Sequence, residues 1–302
     1  MLWIVLAFNA ALFQALGAAI KKKSLQVSGM NNIIGFVSFL TAGIIFGVFF
    51  LAKTGRVVPH LSLTPEFYVA MACYAGLNIV ASWFMYRALD LAEFNHLMPF
   101  ITLTNLLIVI PPISLLYEIP SARGLAGIAV VVVGALLMDL GKKDVVTAEN
   151  ELREKKNRKG MMYFLGTAAC YTITPSVAKI TVLNSSVLLA SFMVHILIGL
   201  GFLTMILLAG ERRKLKELSF RPGKRGLLIG IILAGFAVAL QNGSLNWALS
   251  LAPVASVMAL YRTMPIFAFF IGVLYFKERT NLNRKILSTV IMVAGAVIVA
   301  LG

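Results

Sequence analysis

Apolar residues run along this 302-residue chain in ten long stretches, each closed by charged residues, proline or glycine. They lie near residues 2–20, 33–52, 67–89, 94–116, 124–140, 161–182, 187–209, 226–248, 254–276 and 285–301. Each is close to the roughly 20 residues a helix needs to cross the hydrocarbon core of a bilayer. Lipid satisfies no backbone polar group, and these stretches are too long for barrel strands, so the pattern predicts helices throughout. The predicted fold class is an all-α integral membrane protein with ten transmembrane helices. The only sizeable polar connections, 141–160 and 210–225, are too short to form a domain.

The first stretch ends in small residues, Ala15 to Ala19, as a cleaved signal peptide would. No basic residue precedes it, however, and Lys21, Lys22 and Lys23 follow it, which reverses the signal-peptide arrangement. A retained first helix is expected.

Composition narrows the class. Hydrophobic residues make up 60% of the chain and charged residues 13%, against about half and a quarter in soluble domains. A soluble enzyme, a nucleic-acid-binding domain and an anchor carrying a large soluble domain are excluded. The net charge of +15 would suggest nucleic acid in a soluble protein; here the basic residues read as an orientation signal. Loops after the odd-numbered stretches hold 21 of them: three at 21–23, seven at 142–159, seven at 212–225 and four at 277–285. Loops after the even-numbered stretches hold three, Lys53, Arg56 and Arg123, and the last three, Arg87, Lys179 and Arg262, fall inside stretches. The bias predicts cytoplasmic odd loops and both termini outside, in a membrane of the bacterial inner (plasma) type. Cys73 and Cys170 both sit in apolar runs and read as small packing residues rather than a disulfide framework.

The chain also aligns with itself. Shifting by 160 residues brings Ala88-Leu89-Asp90-Leu91-Ala92 onto Ala248-Leu249-Ser250-Leu251-Ala252, and the same register brings Glu118 onto Glu278. Each half then holds five stretches, and an odd number forces the second half into the membrane upside down. The predicted organisation is a first five-helix repeat over 1–140, a cytoplasmic linker over 141–160 and a second, inverted repeat over 161–302. Inverted repeats of this kind mark secondary transporters, with the substrate held near midplane.

Tyr86-Arg87-Ala88-Leu89, its echo Asn246-Trp247-Ala248-Leu249, and Met264-Pro265 followed by Lys277-Glu278-Arg279 resemble the pattern of the drug/metabolite transporter superfamily, in its EamA-like ten-helix branch. The resemblance implies two five-helix halves whose stretches 1, 3, 4, 6, 8 and 9 line a central cavity. The chain departs from the family in having Asn105 where the repeat would put a proline, and in its outside termini.

Polar residues within those stretches supply candidate substrate ligands. Asn95, Pro99, Thr102 and Asn105 share one face of the fourth stretch, and the repeat register maps that face onto Ala255, Ala259, Arg262 and Pro265. The sixth offers Thr167, Tyr171 and Thr174 beside Pro175, the first Gln14, the third Tyr74, Asn78 and Ser82, and the eighth Asn242 and Asn246. Any one of these could simply join neighbouring helices; their convergence on matching stretches favours a cavity. The expected substrate-binding set is Arg262, Gln14, Asn78, Asn95, Thr102, Tyr171, Thr174 and Asn242. His96 beside Glu93 is a candidate proton relay, and His195 is a second intramembrane histidine. Three histidines in the whole chain provide no metal-ligand spacing. No catalytic residue, cofactor or metal is expected. Lys179 is expected to snorkel, and Glu118 and Glu278 to end helices against loop backbone.

Arg262 stands apart. An arginine at the centre of a membrane helix costs about 2.5–3.5 kcal/mol on insertion scales, and no stretch contains a midplane Asp or Glu to pair with it. The expected ligand is therefore a carboxylate or phosphate in a water-filled cavity. The small multidrug-export branch of the superfamily uses a Glu in its first helix; this chain has Asn9 and Gln14 there.

The resulting expectation is a secondary transporter of a small polar, anionic or zwitterionic metabolite, such as an amino acid or a carboxylated or phosphorylated compound. It would work by alternating access, driven by a proton gradient or an exchange substrate, as a monomer or homodimer in the lipid bilayer, with no nucleic-acid partner. A proton-coupled multidrug exporter is the main alternative. A non-transporting membrane receptor or scaffold, or an intramembrane enzyme, is the remoter one.

Overall fold

The computed structural model describes residues 1–28, 30–55, 63–91, 107–139, 150–215, 225–274 and 282–301. Among them there is no strand. The helices are α1 (Leu2–Ser28), α2 (Asn31–Thr54), α3 (Pro65–Leu91), α4 (Ile110–Leu116), α5 (Ala122–Asp139), α6 (Asn150–Leu183), α7 (Val187–Leu208), α8 (Arg225–Leu251), α9 (Val254–Tyr261), α10 (Met264–Leu274) and α11 (Leu282–Leu301). Six segments are long and apolar enough to span a bilayer: Leu2–Ile20, Asn31–Thr54, Pro65–Met85, Val187–Leu208, Gly226–Leu251 and Val254–Ile271. Ala122–Leu137 and Ile286–Leu301 are shorter apolar helices. The protein is an integral membrane protein whose described residues are helical apart from turns and connections.

Two helices outrun their apolar stretches. α1 continues through Lys21 to Lys23 as far as Ser28, and α6 starts at Asn150, well before the stretch at 161–182. Leu, Arg, Lys and Glu in 151–159 are good helix formers, so the backbone stays helical after the hydrophobicity ends. Of the fourth stretch, only the end that forms α4 is described.

The chain divides into two compact units, and each draws on both sequence halves. Unit 1 comprises Met1–Ile79 and Val177–Leu251; unit 2 comprises Val80–Ser176 and Ala252–Gly302. The division therefore cuts α3 after Ile79 and α6 just after Pro175.

In unit 1, α1 packs along α8 and α2 along both α7 and α8. The α2–α7 seam is antiparallel and built on glycine: a Cβ at Gly35 would meet the Phe202 ring, one at Gly43 would meet Ile196, and one at Gly47 would meet Phe192. Without a hydrophobic drive between helices in lipid, such close approach supplies the dispersion energy that holds them together. α1 meets α8 antiparallel as well, with Asn9 Nδ2 donating to Ser244 Oγ at 3.0 Å. A hydrogen-bonded chain joins three helices deeper in the unit. The Tyr74 hydroxyl of α3 donates to Asn246 Oδ1 of α8 at 3.4 Å, and Asn246 Nδ2 donates to Ser191 Oγ of α7 at 2.9 Å. Asn246 is fully buried.

In unit 2, α5 and α11 form an antiparallel pair closer still. A Cβ on Gly295 would lie 2.6 Å from the backbone nitrogen of Val131, and one on Gly127 2.7 Å from that of Val299. The second half of α3 runs antiparallel to the first half of α6, with Thr167 Oγ1 donating to the Ala81 carbonyl at 3.3 Å and Phe164 packed on Ala88.

These contacts predict opposite outcomes for two glycine substitutions. Gly295→Val forces α11 off α5 and should lower the melting temperature of the purified protein, at a cost of about 1–3 kcal/mol. A Cβ on Gly76 meets nothing within 4 Å, so Gly76→Ala should leave the melting temperature unchanged or raise it. Asn246→Ala strands the Tyr74 and Ser191 hydroxyls in a buried place and should cost about 1–3 kcal/mol by the same measurement.

Candidate functional site

The ninth apolar stretch does not form one continuous helix. α9 ends at Tyr261, Arg262 and Thr263 form a turn, and α10 begins at Met264. Pro265 explains the break: it has no N–H to offer the Tyr261 carbonyl four residues back, and its ring clashes with that carbonyl. The last turn tightens in response, with Thr263 N donating to the Leu260 carbonyl at 3.0 Å and Thr263 Oγ1 donating to the same oxygen at 2.6 Å. Arg262 is the ninth residue of the 18-residue apolar segment Val254–Ile271, so the break and the cation both fall at its middle.

Arg262 Nε is buried and has no hydrogen-bond partner among the described residues, while part of the side chain stays accessible. Its neighbours in unit 2 are phenols rather than carboxylates. The guanidinium lies within electrostatic reach of Tyr261 and Tyr171, and Tyr171 on α6 bonds the side chain of Ser82 on α3. The groups acting on the cation are thus two tyrosines, and no carboxylate is among them. Thr174, one turn along α6, donates its hydroxyl to the Cys170 carbonyl at 2.7 Å. Pro175 beside it sits inside α6 and leaves the Tyr171 carbonyl without its helical donor.

The expected binding residues therefore separate by unit. Arg262, Tyr171 and Thr174 belong to unit 2, whereas Gln14, Asn78 and Asn242 belong to unit 1. Asn78 donates to the Tyr74 carbonyl at 2.8 Å, and Gln14 and Asn242 are partly exposed on the adjacent helices α1 and α8. Asn95, Thr102, Glu93, His96 and Glu278 lie outside the described residues. Tyr261 was not singled out from the sequence; its place next to Arg262 at a proline break was the available signal. Ser191 carries no charge and no distinctive spacing, so nothing in the sequence marked it.

Two further expectations meet their test here. Lys179 does not snorkel: it is only 8% exposed and takes part in an interaction of its own, because α6 turns this position into the packed interior of unit 1. Glu118 does contact backbone, but at the start of a helix rather than in a loop. Its Oε2 accepts from Val254 N at 2.7 Å, which places a carboxylate on the N-terminus of α9, the helix that ends at Arg262. His195 is buried between the Phe39 and Phe46 rings, with Nδ1 2.6 Å from the Ser191 carbonyl and Nε2 without a hydrogen-bond partner among the described residues. Among the described residues, no group of three His, Cys, Asp or Glu side chains could hold a metal ion.

Residues 158–301 match the model of the EamA-like transporter family. A solved structure described only as a crystal structure of a protein superposes with a TM-score of 0.75 at 15% identity, covering 99% of this chain and 96% of that one. At that identity the likeness shows a shared fold. No curated protein matches the sequence. The matched residues make up nearly half of the chain, and over them the protein is similar to EamA-like transporters.

Proposed function

We propose that this EamA-type membrane transporter carries a small polar metabolite through ten helices arranged as two inverted five-helix repeats, with Arg262 receiving the substrate's carboxylate or phosphate. Members of the family are transporters rather than enzymes. The observation that carries the reading is the mid-helix break that holds a cation with a buried, unpartnered Nε. Discontinuous helices near midplane are where secondary transporters hold substrate, because an unwound turn presents polar groups that an intact helix hides. Arginine suits the role better than lysine, since its planar fork meets a carboxylate or phosphate with two parallel hydrogen bonds. The antiparallel pairing of α2 with α7 and of α5 with α11 supports the inverted repeat, because each helix meets its own counterpart in the other half.

Electrostatics favours exchange. An empty site that closes must bury an unpaired guanidinium, whereas a loaded one closes around a neutralised pair. Closure is then cheaper with an anion bound, and an anion carried one way is followed by another carried back.

Thermal-shift titration of the purified protein against carboxylated, phosphorylated and cationic metabolites tests the site. Anionic compounds should stabilise the wild type, and Arg262→Ala should weaken that effect by about tenfold or more in concentration while remaining folded. Stabilisation by cations alone, or an unaltered response in Arg262→Ala, would remove the assignment. Tyr171→Phe should shift the same titration by about threefold to tenfold, as expected for one hydroxyl. In proteoliposomes, uptake of labelled substrate should be faster against internal unlabelled substrate than into empty vesicles; equal rates would exclude exchange.

A further inference from the structure

We propose that α3 and α6 of unit 2 form a binding site for an anionic phospholipid, with the headgroup on Arg87, Arg158 and Lys159 and an acyl chain along the apolar surface beside them. The two helices run antiparallel here: Thr167 bonds Ala81, Gly166 faces Phe84, and Phe164 packs on Ala88. That register brings Arg87 level with residues 161–165 and leaves Arg158 and Lys159 about one helical turn further out.

Both helices show the same sequence of surfaces. On α6, Ile173, Leu165 and Met162 are exposed along one face, and Met162 is 68% exposed; the face continues into exposed Arg158 and Lys159. On α3, exposed Val80 and Trp83 lead into exposed Arg87. The seam between them is aromatic. Trp83 meets Tyr163 edge-on with centroids 5.8 Å apart, Phe84 lies 6.0 Å from Tyr163, and the Arg87 guanidinium sits 5.7 Å above the Trp83 ring.

An exposed Trp and a Tyr at the end of an apolar surface are the residues that settle at the membrane–water boundary. The arginine on Trp83 is thereby fixed at headgroup depth. Charge complementarity then selects the lipid. The exposed Arg87, Arg158 and Lys159 make this rim cationic. A soluble phosphate would need the cations but not the apolar run that leads into them; a phospholipid uses both. Clusters of basic residues just outside a membrane helix bind anionic headgroups at about fivefold in affinity per charge.

Native mass spectrometry of the full chain in detergent, with phosphatidylglycerol or phosphatidylcholine of the same acyl chains, tests the site. Phosphatidylglycerol should bind more tightly, and both Arg87→Gln and the double variant Arg158→Gln/Lys159→Gln should lose about fivefold for each charge removed. No headgroup preference, or a preference unchanged in these variants, would overturn the proposal. Displacement of the lipid by glycerol phosphate at equal concentration would overturn it too, by making the site one for a free phosphate. A second measurement needs no change of charge. The protein has three tryptophans, so Trp3→Phe/Trp247→Phe leaves Trp83 as the sole emitter. Brominated phosphatidylglycerol should quench it at a several-fold lower mole fraction than brominated phosphatidylcholine, and equal quenching would count against the site.

Discussion

The hydrocarbon core of a bilayer offers no hydrogen bonds, and this structure is organised around that lack. Every polar group placed in an apolar segment has to find its partner within the protein. The short hydroxyl side chains do so locally: Thr172, Thr174 and Thr181 each donate to the carbonyl four residues back on α6. Asn246 has both an acceptor and a donor to satisfy, and it uses them to join α3 and α7 to α8. Glu118 reaches an N–H that the start of α9 could not pair within itself. Against this background of local settlement, Arg262 Nε is one of a few buried side-chain atoms, with Ser38 Oγ, Ser176 Oγ and His195 Nε2, that have no hydrogen-bond partner among the described residues, and it belongs to a cation.

The same lack of solvent drive explains the glycines. In water, burial of apolar area would press helices together; in lipid the tails are as apolar as the side chains, and only closer packing than lipid can achieve favours protein contact. Hence the seams of α2 with α7 and of α5 with α11 are the places where glycine lets a ring or a backbone approach to within van der Waals distance. Both seams are antiparallel and pair counterpart helices from opposite halves of the sequence. An inverted repeat produces this geometry when a helix and its counterpart pack against each other. The proposed inverted repeat would also account for compact units that each take segments from both halves.

Which helices form was largely legible in the sequence, because apolar length is a one-dimensional property. Side-chain partnerships were not, since they depend on rotation about each helix axis. In water an amphipathic stripe fixes that rotation; the apolar residues of α7 and α8 are spread around the helix axis, so no such stripe aimed Asn246 at Ser191 or Tyr74. Lys179 failed for the same reason: its distance from the helix end was readable, the side it faced was not. Thr174 was placed on the right helix beside Tyr171, but its hydroxyl bonds its own backbone, an option that any threonine in a helix has and no pattern reveals. Arg262 was legible because its cost depends on depth alone, and depth can be counted along the chain.

Depth also explains why the cation and the helix break coincide. A guanidinium at the middle of an intact helix would face neighbours whose backbone groups are all paired, and its insertion cost of about 2.5–3.5 kcal/mol would have no offset. Pro265 removes one N–H and so breaks the helix next to Arg262, which leaves the turn at 262–263 beside the cation. Tyr171 and Tyr261 add hydroxyl dipoles without adding negative charge. A carboxylate in their place would neutralise Arg262 permanently and leave nothing for an anion to do. Phenols lower the cost of keeping the cation in the membrane but stop short of cancelling its charge, and on the proposed function it is the uncancelled remainder that would give an anionic substrate a reason to enter.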